Sequence, residues 1–176
     1  MEKEIDWNHW LGEHSARLML YARQQCRREA DAEDVLQEAL MQLVRTVESG
    51  DFKGGPEQWV SYAYTAIRHR AMDKGRREEV RRNYAQRVQE ADSDLGVIDP
   101  WLVCAADDEY MRQQVEALLR EIKPDFAEVI ILKIWGERTF QDIADILKLP
   151  LATVSSRYRY GLEKLRAAFD AAGIER

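Results

Sequence analysis

Apolar residues along this chain recur at steps of three and four. Val35, Leu36, Ala39, Leu40, Leu43, Val44 and Val47 fall on one face of a helix. Asp31 is placed to cap that helix, with Glu33 and Asp34 in a first turn that favours carboxylates. Ser49-Gly50-Asp51 and Gly54-Gly55-Pro56 then break the pattern. A second long helix is predicted from about Glu57 through Trp59, Ala63, Ala66, Ile67 and Ala71. Trp59 opens its apolar stripe and is assigned to the core. An earlier helix, around His14 to Arg28, supplies Leu18, Met19 and Ala22. Together they predict a three-helix N-terminal domain ending near residue 85.

The period is lost over residues 88–107, where Ala91-Asp92-Ser93-Asp94-Leu95-Gly96 and Asp99-Pro100 read as an acidic linker. Trp101, Leu102 and Val103 are apolar exceptions with the potential to dock back onto a domain. Periodicity returns at Met111, Val115, Leu118 and Ile122, and Pro124-Asp125 begins a helix through Phe126, Val129, Ile130 and Ile134 that stops near Gly136. Thr139 and Asp142 have capping-box spacing, with Asp in place of the preferred Glu or Gln. A short helix through Ile143, Ala144, Ile146 and Leu147 follows, then a break at Lys148-Leu149-Pro150. The last helix puts Leu151, Val154, Tyr158, Leu162, Leu165 and Phe169 on one face. No strand and no internal repeat is evident. The expected fold is all-α, two small helical domains over 1–87 and 108–176 joined by the linker at 88–107.

The composition agrees: 176 residues, 45% hydrophobic and 33% charged, with little Gly or Pro. No apolar run reaches the ~18 residues of a membrane span, and Met1 to Asp6 has neither the basic nor the apolar block of a signal peptide. A cytoplasmic protein is expected. Cys26 and Cys104 lack a CxxC partner and read as idle or buried thiols. His9 and His14 share a helix face without a third ligand, so no metal site and no cofactor is expected.

Net charge is −6, yet its distribution matters more than its sum. Arg68, Arg70, Lys74, Arg76, Arg77, Arg81 and Arg82 form one basic block, and Lys148, Arg157, Arg159, Lys164 and Arg166 a second. Residues 88–128 between them carry eleven acids against Arg112, Arg120 and Lys123. Thr139 to Tyr160 is a short helix, a three-residue break and a longer basic helix, the helix-turn-helix arrangement. Ala144 is small at the expected crossing, with Ile143, Leu149 and Val154 to fix its angle. The second helix offers Ala152, Thr153, Ser155, Ser156 and Arg159, of which the polar members suit phosphates or base edges. Its N-terminus also favours phosphate. Lys148 stands where such a turn often has Gly, and a non-Gly residue at positive φ is uncommon, so the turn is expected to be either slightly strained or differently shaped. A helical hairpin with a merely solvated basic face shares this spacing.

The residues also carry a family resemblance. Pro124-Asp125-Phe126-Ala127-Glu128-Val129-Ile130, Thr139-Phe140-Gln141-Asp142-Ile143-Ala144 and Val154-Ser155-Ser156-Arg157-Tyr158 resemble region four of the extracytoplasmic-function (group four) sigma factors of bacterial RNA polymerase. Asp31-Ala32-Glu33-Asp34-Val35-Leu36-Gln37-Glu38 and Ile67-Arg68-His69-Arg70-Ala71-Met72-Asp73 resemble their region two. The two pieces come in the right order with the expected linker between them.

That resemblance implies an alternative sigma factor, not an enzyme, whose partners are core polymerase and promoter DNA. Region two would dock on the clamp of the largest subunit through Asp31, Asp34, Gln37 and Glu38, all expected to be exposed. It would hold the melted −10 strand with Tyr62, Tyr64, Arg68, His69, Arg70 and Arg76, rings for stacking and cations for backbone. Relatives often have Trp at the position of Tyr62 and Asn at that of His69. Region four would sit on the flap of the second-largest subunit and read the −35 element with Ala152, Thr153, Ser155, Ser156, Arg157 and Arg159. Relatives often carry Lys at the position of Ser155 and Arg at those of Tyr160 and Leu162, so fewer cations hold phosphate here. Two tethered weak sites still bind well if the linker spans them. The resemblance also leaves room for an anti-sigma factor. Competing readings are a regulator that binds its own operator without polymerase and a helical interaction module outside DNA binding. An enzyme finds no support, for there is no phosphate loop, metal-spaced cluster or nucleophile beside a base.

Overall fold

The protein is described by a computed structural model over residues 5–85 and 109–173, with side chains for 5–81 and 114–173. The acidic linker at 88–107, Cys104 and the apolar trio Trp101 to Val103 lie outside the described residues. Among the described residues all regular structure is helical: α1 Trp7–Gln25, α2 Glu29–Glu48, α3 Pro56–Ala85, α4 Glu109–Glu121, α5 Pro124–Ile134, α6 Phe140–Leu147 and α7 Leu151–Ala172.

The first three helices form the N-terminal bundle. α1 starts seven residues earlier than expected because Asp6 caps it, accepting from the His9 amide at 3.0 Å. It ends at Gln25 rather than Arg28, since Cys26 turns to extended backbone. The apolar stripe of α2 is buried as its period predicted, with Val35, Leu36, Ala39 and Leu43 inside. Asp31 does not cap α2, however. Arg28 occupies the N-cap position, and Asp31 lies in the first turn with its carboxylate committed elsewhere. α3 rises about 45 Å at ~1.5 Å per residue, and its first half buries Trp59, Val60, Ala63, Tyr64 and Ile67. Trp7, Trp10 and Trp59 pack together, with Trp7 stacked on Trp59 at 5.1 Å between ring centroids.

The C-terminal bundle is α4 to α7, built on α5, whose Ala127 to Leu132 are all buried. Gly161 lets α7 cross α5 closely: a Cβ there would stand 2.8 Å from Ile130 Cδ1 and 3.1 Å from Phe126 Cβ. The capping box at α6 is complete, with the Asp142 amide donating to Thr139 Oγ1 at 3.1 Å and the Thr139 amide to Asp142 Oδ2 at 2.9 Å. Leu151 departs from its expected place in the core stripe of α7. It is 47% exposed, at the first position of the helix.

The two bundles also pack on each other, α1 against α5 and α3 against α6. Sequence periodicity did not anticipate this joint.

Candidate nucleic-acid interface

Three surfaces carry the polar chemistry. The first joins α2 to α3. Asp31 is only 6% exposed and accepts from Arg28 at 2.7 Å and from Lys74 at 2.8 Å. Burial alone would raise its carboxyl. The hydrogen bonds and charges of Arg28 and Lys74 outweigh that and hold it below the ordinary carboxylate value. The expectation that Asp31 is exposed is therefore corrected: it is a tie between helices. Asp34, Gln37 and Glu38 are exposed. Asp34 meets Lys74 at 2.9 Å, and Glu38 meets Arg70 at 2.7 Å. The acidic face of α2 and the basic face of α3 thus neutralise one another in part. Cys26 beside them is half-buried, and burial pushes its thiol up to about 11, which leaves it protonated and inert at neutral pH. A cleft of about 300 Å³ lies here, lined by Gln25, Cys26, Asp31 and Lys74 among others. Asp31 and Lys74 pair with each other within it.

The −10 candidates are spread over α3. His69 and Arg76 are exposed, Arg76 beside Asp73 at 3.1 Å. Tyr62 is half-buried, edge-on to Phe52. Tyr64 is buried at 1% exposure, and Arg68 and Arg70 are tied to carboxylates. Arg77 and Arg81 are exposed and pair with no acid among the described residues. They belong to the basic block, but only the structure distinguishes them from its paired members.

The second surface is α6–turn–α7. Lys148 ends α6 in the left-handed region, φ 56° and ψ 46°, so of the two expected alternatives the turn keeps its usual shape with a non-Gly residue at positive φ. Its amide and that of Leu149 both donate to the Ala144 carbonyl. Ile143, Ala144 and Val154 are buried at the crossing, and Leu149 packs against it. The outer face of α7 exposes Ala152, Ser155, Ser156 and Arg159, with Thr153 half-buried. Arg159 lies 4.8 Å over the Tyr160 ring. Arg157 turns back to Asp125 on α5 at 2.8 Å, so it braces α7 as well as flanking the face. Leu151, now exposed, adds an apolar group to the helix start.

The third surface is the joint. Glu128 of α5 is 6% exposed. It accepts from Tyr21 Oη at 2.7 Å and Gln25 Nε2 at 3.1 Å on α1, and from Arg68 Nε at 3.1 Å on α3. Burial and the neighbouring Glu128 carboxylate raise Tyr21 well above the ordinary phenol value, so it stays a donor. Tyr21 meets Tyr64 edge-to-face at 5.1 Å. At the rim, Arg17 makes a two-pronged pair with Glu137 at 2.9 and 3.0 Å. His14 lies close by, its pKa lowered by burial.

Among the described residues no group of three or more His, Cys, Asp or Glu is placed to hold a metal ion, and no helix is long and apolar enough to cross a membrane.

Comparison with known proteins divides the chain in the same way. Residues 11–81 match the family Sigma-70 region 2, and residues 118–167 match Sigma-70 region 4. No curated protein matches the chain. Among solved structures it is similar to the sigma factor RpoE from Bartonella quintana, determined in complex with the anti-sigma factor NepR. The TM-score is 0.73 at 20% identity, covering 97% of this chain and 99% of that one.

Proposed function

Because the chain belongs to the sigma-70 family, with region 2 and region 4 in the organisation of an extracytoplasmic-function sigma factor, we propose that it carries out promoter recognition through three of its helices. It is a sigma factor and not an enzyme: it binds RNA polymerase and directs promoter-specific transcription. Residues 1–87 form the unit that docks on the polymerase clamp and holds the melted −10 strand. Residues 108–176 form the unit that sits on the flap and reads the −35 element, and 88–107 join the two.

The observation that carries this reading is the ordered pair of regions. A helix-turn-helix alone supports only a DNA binder, whereas the acidic α2 and the basic α3 upstream of it have no role in a simple operator-binding protein. On α2, exposed Asp34, Gln37 and Glu38 are the docking groups, and Asp31 positions the helix that bears them. On α3, His69, Arg76, Arg77 and Arg81 are accessible to a single strand, and Tyr62 is partly so. On α7, the outer face from Ala152 to Arg159 enters the major groove. The anti-sigma factor bound to the similar RpoE supports an anti-sigma factor as a further partner. Work at the promoter supports a cytoplasmic location.

The test is reconstitution. Mixed with core polymerase of its host, the protein should co-elute with it and direct initiation from a specific promoter. Inability to do either would overturn the reading. Tight binding of the free protein to duplex operator would favour a stand-alone regulator.

A further inference from the structure

Glu128 is the buried carboxylate that promoter recognition does not use. It lies on α5 of the C-terminal bundle, yet each hydrogen bond it accepts among the described residues comes from the N-terminal bundle: Tyr21, Gln25 and Arg68. A buried carboxylate is costly without such partners. The three donors, 60 to 107 residues away in sequence, therefore favour the closed arrangement specifically. The Arg17–Glu137 pair adds a second tie at the rim. One group assigned above to the −10 strand is engaged in the joint: Arg68 is bonded to Glu128.

Length decides whether this closed form can act at a promoter. The element names place −35 and −10 roughly 25 base pairs apart, about 85 Å of duplex at ~3.4 Å per step. A compact chain of this size has a radius of gyration near ~16 Å, about 40 Å across. Region 2 and region 4 cannot reach both elements while joined. We propose that the Glu128 cluster is a self-restraining latch. It holds the free protein closed, keeps Arg68 from DNA, and must break when core polymerase takes the two regions apart. This rests on the sigma-factor reading. It also assigns a state to the free protein that needs no second chain to maintain it.

The latch reduces apparent affinity for polymerase by the fraction of molecules that are open. Glu128→Lys sets a cation against Arg68 and removes no hydrogen bond found within the C-terminal bundle. We expect the full-length variant to keep its helicity by circular dichroism and to show a larger radius of gyration in small-angle scattering. Its affinity for core polymerase should rise about tenfold, the loss of roughly one charge-assisted hydrogen bond from the closed state. The rim gives an independent arm. Arg17→Glu and Glu137→Arg should each expand the protein, and the two together should restore compactness. A Glu128→Lys protein with wild-type radius and polymerase affinity would overturn the latch while leaving wild-type polymerase binding, and hence the sigma reading, intact. If wild-type protein fails to bind polymerase at all, the functional reading falls and the latch falls with it.

Discussion

Replacing Lys148 by glycine should stabilise the helix-turn-helix. Lys148 closes α6 at φ 56° and ψ 46°, where a Cβ crowds the following carbonyl and costs about 1–2 kcal/mol for an L-residue. Glycine removes that strain. Its greater freedom in the unfolded chain takes back about 0.4–1 kcal/mol, leaving a net gain of about 0.5–1 kcal/mol. The substitution sacrifices little else, because the Lys148 side chain is exposed and makes no ion pair among the described residues. The backbone bonds from residues 148 and 149 to Ala144 are kept. Amide hydrogen exchange across α6 and α7 is the suitable assay, since it reads local opening without assuming that the whole protein unfolds in one step. A gain of about 1 kcal/mol slows exchange through that opening about fivefold. Lys148→Ala keeps the Cβ and should show no such gain, which separates backbone strain from loss of the charge. Equal exchange in Lys148→Gly and Lys148→Ala would refute the argument.

Other expectations follow from single contacts. Gly161→Val should destabilise the C-terminal bundle by about 1–3 kcal/mol through overpacking, because even a Cβ stands 2.8 Å from Ile130; urea unfolding should show it, and an unchanged midpoint would mean that α7 shifts freely. Asp31→Asn should lower stability at neutral pH by about 1–3 kcal/mol, the range for hydrogen bonds to charged groups, because it weakens the ties to Arg28 and Lys74. The folded Asp31 carboxyl is held below its unfolded value, so its contribution is present above that unfolded value and disappears as pH falls through the folded one. The gap between variant and wild type should therefore close in acid. By contrast, Asp34→Ala should reduce polymerase binding with little change in melting temperature, and an equal effect of both substitutions on melting would contradict the division of roles. His14 titrates in the same direction at higher pH: burial lowers its pKa, so the unfolded chain binds the proton more readily. Its contribution is present above about pH 6.5 and declines below it, and His14→Gln should flatten the melting temperature between pH 5 and 7.

The helices were legible because each buries one face. The α2 stripe from Val35 to Leu43, the Thr139–Asp142 box and the turn at Lys148 are local signals, decided within a few residues. Ends were less legible: α1 begins at a cap, Asp6, whose role depends only on the next three residues but lies outside the apolar period. Asp31 illustrates a different failure. A carboxylate near a helix start suits both a cap and an exposed docking group, and its actual use is set by Lys74, which only folding brings beside it. Leu151 continues the α7 spacing, yet at the first position of the helix it is exposed, while Val154 three residues on is buried. The joint had no periodic signal at all, because Tyr21, Arg68 and Glu128 each read as ordinary members of their own helices.

The ion pairs between α2 and α3 bear on how strongly this protein binds DNA by itself. Arg70 and Lys74 are committed to acids of α2, Arg68 to Glu128 and Arg157 to Asp125. That leaves Arg77 and Arg81 on α3, and Lys148, Arg159, Lys164 and Arg166 on the α6–turn–α7 unit, exposed and without an acid partner among the described residues. Each phosphate neutralised steepens the salt dependence by about 0.9 in log–log slope, so few free cations on each candidate DNA surface mean weak and only moderately salt-sensitive binding by either one. With the closed joint holding the two sets apart from their proper spacing, the free protein cannot add them. The energy that separates the bundles has to come from a surface that binds each of them apart. Polymerase therefore supplies more than a catalytic site: by holding the regions open it turns two weak DNA contacts into one specific attachment.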